Sequence, residues 1–181
     1  MKFFSGILPI AGVALTLFLG ATAQKATDVI RSIDFVASSA HNLDEDIQRV
    51  NDGNVADEGQ LIGQGISAFK GIIQDQLESV FDNVDNSMPF NDDDAQLVLD
   101  AFQQSVTTEK ATLQTIIDKR DFAEKYLLVD EIVQPVRDLR AALVTYSGAV
   151  IALIPSQASG AYAAFNDLSD ILEAAVQAYE S

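Results

Sequence analysis

The chain predicts an all-α fold, an up-and-down bundle of about five long amphipathic helices with no disulfides. Three observations predict it. Apolar residues recur at three- and four-residue steps from Ile30 to Tyr179 almost without a break. No stretch beyond residue 24 keeps the strict alternation of a half-buried strand. Cysteine is absent from all 181 residues, so a chain expected outside the cell must hold together by packing and not by cross-links.

The expectation of export comes from residues 1–23. Lys2 supplies a positive start, 7–19 is mostly apolar, and Ala21-Thr22-Ala23 has the A-x-A form of a cleavage site. The apolar core is short for a membrane span. The organisation expected is therefore a signal peptide, 1–23, and a single helical-bundle domain, 24–181, with no transmembrane span after cleavage. That length buries a core without staples.

The first helix is expected over 27–50, with Ile30, Ile33, Ala37, Ala40, Leu43, Ile47 and Val50 on one face. Asp52-Gly53 stops it. The second is expected over 55–84, with Ile62, Ile66, Phe69, Ile73, Leu77, Val80, Phe81 and Val84 inward. It carries Gly59, Gly63, Gly65 and Gly71, each costing about 1 kcal/mol against alanine in a helix. Close packing against a neighbour explains them better than bending does. A loop over 86–91 contains Pro89. Asn91 then caps a third helix with Asp92, Asp93 and Asp94 in its first turn, and that helix reaches 119.

The fourth stripe is the most regular, from Phe122 through Tyr126, Val129, Ile132, Val136, Leu139, Leu143, Tyr146 and Val150 to Leu153. Pro135 lies inside it, and a kink or break is expected there. Lys119-Arg120-Asp121 has no Gly or Pro, so the third and fourth helices either merge or turn tightly. Pro155 ends the fourth. Ser156 or Ser159 caps the fifth, which presents Tyr162, Phe165, Leu168, Leu172, Val176 and Tyr179.

Eleven lysines and arginines stand against 27 acids, a net charge of −16. Cleavage after Ala23 removes Lys2 and no acid. Such a chain repels phosphate backbones, so no nucleic-acid partner is expected. No catalytic residue is assigned. The one histidine, His41, sits beside the first stripe as a solvated residue, and no G-x-S-x-G elbow is present. Carboxylates are plentiful, but tryptophan is absent and Phe and Tyr mostly fall on the stripes, which argues against a sugar cleft. Asn83, Asp85, Ser87 and Asp94 imitate a calcium loop, yet Met88 stands where glycine is needed. No metal and no cofactor are expected. Sequons, a Ser/Thr/Pro-rich stalk and a glycolipid-anchor tail are also missing beyond Gln24.

What remains is an apolar interior that either closes completely or takes an apolar ligand. On the second helix its candidate ligand-binding residues are Ile62, Ile66, Phe69 and Ile73. Phe102, Val106 and Lys110 follow on the third, Val136, Leu139, Leu143 and Tyr146 on the fourth, and Tyr162, Phe165 and Leu168 on the fifth. Lys110 takes the stripe step between Val106 and Leu113, so it either snorkels outward or faces the carboxylate of an apolar ligand. Tyr146 and Tyr162, at core positions, need partners for their hydroxyls.

The A-x-A segment, Lys119-Arg120-Asp121-Phe122, Val136-Arg137-Asp138-Leu139, Ala152-Leu153-Ile154-Pro155 and a last helix ending Ala178-Tyr179 together resemble one group. It is the fungal hydrophobic surface binding protein A family, also called cell wall galactomannoprotein-like, and the resemblance covers the chain beyond residue 23. It implies a secreted, extracellular and non-enzymatic protein, in some members associated with the cell wall. The implied partners are a long-chain fatty acid or other apolar ligand or surface, and a secreted polyesterase such as cutinase. A structural mannoprotein role in the wall is the alternative it leaves open.

Overall fold

Among the described residues the apolar stripes mostly turn inward on helices, but on the first one Val29 and Val36 are buried where the spacing predicts Ile30 and Ala37, which are half-buried. The structure, a computed structural model, describes residues 21–78 and 89–180. The expected signal segment up to residue 20, the second stripe's Val80, Phe81 and Val84, and the calcium-like positions Asn83, Asp85 and Ser87 lie outside the described residues.

Helix α1 spans Ala21–Arg49. Its last turn is braced by Arg49, which reaches Glu45 and Asp46 at 2.9 and 3.0 Å. The stop at Asp52-Gly53 is an asparagine-built turn. The side-chain oxygen of Asn51 accepts from the Gly53 amide at 2.9 Å, and that of Asn54 accepts from the Asn51 amide at 2.7 Å. A single turn, α2 (Val55–Glu58), precedes α3 (Leu61–Gln76). The second rod is therefore divided at Gly59 and Gln60.

Helix α4 spans Asp92–Asp118 and begins as expected. Asn91 Oδ1 accepts from the Asp94 amide at 3.0 Å while Asn91 Nδ2 donates to Asp94 Oδ2 at 2.7 Å. The capping exchange satisfies one orphan amide and sets acids at the positive helix end. The third and fourth stripes do not merge, because the chain turns at Lys119 into the short α5 (Arg120–Lys125).

The long α6 then runs Val129–Leu153 with Pro135 inside it. The break expected at Pro135 falls instead at 126–128, where Leu127 adopts φ 59°. Pro135 leaves the Glu131 carbonyl without its helical donor. Gly63 of α3 packs onto that oxygen, so closely that a Cβ there would lie 2.6 Å from it. The glycine lets α3 cover the disturbed turn. A Cβ on Gly65 would lie 2.9 Å from Leu43 Cδ1, a side-chain end that can shift, whereas Gly71 faces open space. After α6 a 3₁₀ turn (Pro155–Gln157) leads into α7 (Ala158–Glu180), and the chain direction swings by 103°.

The five long helices form a closed ring. α1 packs on α4, α4 on α7, α7 on α6, α6 on α3 and α3 on α1. Ring order is thus not chain order, and α3 and α4 share no major interface. Interhelical bonds to backbone oxygens pin the ring. Thr112 donates to Ala40 (3.0 Å), Lys119 to Val50 (2.6 Å), Arg120 to Ala178 (2.6 Å) and Tyr179 to Ile116 (2.8 Å). No single described helix is long and apolar enough to cross a membrane.

Candidate functional site

The interior of the ring is apolar apart from a small polar group contributed by three helices. On α1 the buried run Val29, Ile33, Val36, Ala40 is joined by Ser32. On α4 the run Phe102, Val106, Leu113, Ile116 is joined by Ser105, Glu109 and Thr112. On α6 the run Leu139, Leu143, Val150 is joined by Tyr146 and Ser147. In each case the polar residue sits on the face whose helical spacing turns it inward.

Tyr146, only 1% exposed, reaches across the ring. Its hydroxyl lies 3.1 Å from Ser32 Oγ, and α6 and α1 are not neighbours in the ring order. Burial holds its phenol well above the ordinary range. The Ser32 hydrogen bond opposes that rise, and the charges of Glu109 and Asp34 add to it.

Glu109 is 2% exposed. Ser105 Oγ donates to its Oε1 at 2.8 Å, and its Oε2 is buried without a hydrogen-bond partner. Burial pushes the carboxyl up to about 7, and the Ser105 bond offsets this only in part. Ser147 Oγ is a second buried oxygen without a partner. Groups of this kind are expensive in a core unless something supplies the missing bond.

The structure brings most of the expected lining residues together. Ile62, Ile66, Phe69, Ile73, Phe102, Val106, Val136, Leu139, Leu143, Tyr146 and Leu168 are all buried, and Phe165 is half-buried against them. Two residues are placed differently. Tyr162 is 55% exposed and does not occupy a core position. The Lys110 side chain, 40% exposed, points outward to Asp167 at 3.5 Å, so it snorkels and does not face the interior.

The sequence alone does not single out Glu109, because two registers fit the α4 spacing. Val106, Lys110, Leu113 satisfies the three- and four-residue steps, and so does Val106, Glu109, Leu113. The neighbours Ser105, Thr112 and Ile116 lie on the Glu109 side, and that alignment was the available signal. His41 is exposed beside Glu45, at 3.4 Å, as expected.

Outside the ring, α3 and α6 leave a groove of about 330 Å³ lined by Gln60, Gly63, Gln64, Ser67, Glu131 and Pro135. It is open to solvent, and it marks the Gly63–Pro135 contact.

These features define a class: a cysteine-free ring of five helices with an apolar interior and a buried acceptor within it. Two solved structures share the fold. The chain is similar to ligand binding domain 1 of the Penicillium marneffei MP1 protein, complexed with arachidonic acids, with TM-score 0.75 and 13% identity over 86% of this chain and 98% of that one. It is also similar to Afmp4p in complex with palmitic acid, with TM-score 0.74 and 10% identity over 85% and 99%. No protein-family model matches the chain, and no curated protein matches it. At these identities the likeness shows a shared fold, and each of the two proteins was solved with a fatty acid bound.

Proposed function

We propose that this protein binds a long-chain lipid within the ring of helices and carries out no catalysis. The observation that carries the reading is the interior itself, apolar on five sides and holding an unpaired buried acceptor, in a fold whose relatives were crystallised with fatty acids. Burying roughly a dozen methylenes supplies about 10 kcal/mol before association costs. Part of that is offset here. Ile66, Ile73, Val136, Leu143 and Leu168 are fully covered by protein, so an acyl chain must displace side chains and part helices to reach them.

The signal-like segment supports a secreted, extracellular site of action, with the cell wall as a place of association. Leu127 and Tyr162, both largely exposed, favour adsorption to an apolar surface as an accompanying activity, and recruitment of a polyesterase there follows from the family resemblance. The test of the lipid reading is native mass spectrometry of the full chain purified without detergent. The expected result is a one-to-one complex with added long-chain amphiphile. Protein that stays ligand-free through such titrations sinks the reading.

A further inference from the structure

We propose that the ring interior selects an amphiphile whose neutral head donates a hydrogen bond, such as a long-chain alcohol, with Oε2 of Glu109 as the acceptor, and discriminates against the same chain ending in an ionised carboxylate. The inference rests on the lipid-binding reading and specifies the head group for that site.

Three observations carry it. First, Glu109 is covered on all sides yet has one oxygen occupied by Ser105 and the other without a partner. A carboxylate or carboxyl oxygen in that position accepts a donor, and a hydroxyl head supplies one. The match holds in either protonation state, because the carbonyl oxygen of a neutral carboxyl also accepts. Second, among the residues whose side chains are described no lysine or arginine is buried. The cation next to Glu109 along the chain, Lys110, is turned outward to Asp167. An ionised head therefore finds no buried counter-charge. Third, it would meet a carboxyl group in a low-dielectric interior, where two negative charges cannot both persist at small cost.

Ser147 Oγ, buried and unpartnered on α6, is a second polar contact that suits a neutral head and does not compensate a charge. The raised carboxyl of Glu109 is consistent with a site that already resists one negative charge and resists a second more strongly.

The experiment compares dodecan-1-ol with dodecanoate, at about pH 8, where a free carboxylic acid is ionised. The full chain is titrated with each, and binding is read by calorimetry and native mass spectrometry. Wild-type protein is expected to bind the alcohol at least about tenfold more tightly than the carboxylate. An apolar cavity alone favours the alcohol, so the deciding measurement is the change of that ratio in Glu109→Gln. This variant keeps the shape and removes the charge, and the preference is expected to shrink by about tenfold. Glu109→Leu, with no acceptor, is expected to weaken alcohol binding while leaving its dependence on chain length intact. Thermal melts establish that each variant folds, and a variant that unfolds leaves the other to decide.

Binding of both ligands with a ratio unchanged by Glu109→Gln, or equal affinity in the wild type, overturns the head-group assignment while lipid binding stands. Binding of neither ligand overturns both.

Discussion

At the scale of single residues, the most consequential side chain is one that stripe reading passes over. An acid is ordinarily solvent-facing, and Glu109 competes with Lys110 for the same step of α4. Packing decides between them, because the lysine stem can snorkel while the face bearing Ser105, Thr112 and Ile116 turns inward. The consequence is measurable. The folded-state carboxyl of Glu109 is raised from 4.5 to about 7. Between those values the folded protein holds a proton that the unfolded chain has released, so stability falls as pH rises through the window. The contribution is about 3 kcal/mol at most. Glu109→Gln, which cannot ionise, is expected to match the wild type near the bottom of the window and exceed it above the top. Urea unfolding on both sides of the window measures this, and a variant less stable than wild type at high pH refutes the burial argument. A second prediction separates two glycines. Gly63→Ala puts a methyl 2.6 Å from the Glu131 carbonyl oxygen and should cost about 1–3 kcal/mol. Gly71→Ala meets nothing within 4 Å and should stabilise by up to about 1 kcal/mol. Equal effects in thermal melts would mean that the glycines serve bending and not close packing.

At the scale of elements, the sequence was legible wherever a stripe, a cap and a breaker agreed. Asn91 with its three following acids marks the start of α4, and Pro155 the end of α6. Legibility failed where local chemistry and packing disagree. Pro135 is a local helix-breaking signal, but a neighbouring helix supplies Gly63 against the disturbed turn, and α6 continues. The break appears three residues before Asp130, at Leu127, in a stretch whose spacing alone looks unbroken. Leu127 takes φ 59° and is 87% exposed. A leucine gains nothing there from packing, and the left-handed conformation costs it about 1–2 kcal/mol. The corner is held by its flanks. Leu128 donates its amide to the Ala123 carbonyl at 2.8 Å, and Lys125 pairs with Asp52 across the bundle end at 2.7 Å. Leu127→Asn or Leu127→Gly is therefore expected to be neutral or to stabilise by up to about 1 kcal/mol, with no change in lipid binding. A loss of stability would show that the exposed leucine has a packing role. A loss of adsorption to an apolar surface, with stability unchanged, would give the strained leucine a reason to be there.

At the scale of the whole molecule, period reading supplies helices but not their neighbours. The ring order depends on how faces of different helices meet, and no count of steps along one helix contains that. The bridge from Tyr146 to Ser32 across the interior is invisible for the same reason. Net charge is the one global property that reads directly from sequence, and it yields a prediction about the assembled ring. The chain carries −16, and folding gathers that charge into a smaller volume than the unfolded chain occupies. The long-range repulsion acts across the ring over tens of ångströms. The attractive pairs are short, from 2.6 Å for Arg140–Glu173 to 3.5 Å for Lys110–Asp167. Raising ionic strength from about 0.01 to 0.1 M shrinks the screening length from roughly 30 to 10 Å. That step weakens the repulsion far more than contacts already inside the shorter length, and exposed pairs of this kind contribute little in any case. The melting midpoint should therefore rise with salt over this range, by about 3 °C if about 1 kcal/mol of repulsion is removed. Sodium chloride and a second monovalent salt should agree, since screening depends on ionic strength and not on ion identity. A midpoint that falls with salt would place the stabilising electrostatics in the surface pairs. A rise that continues steeply far above 0.1 M would point to strengthened apolar burial instead, because by then the repulsion between opposite sides of the ring is already screened.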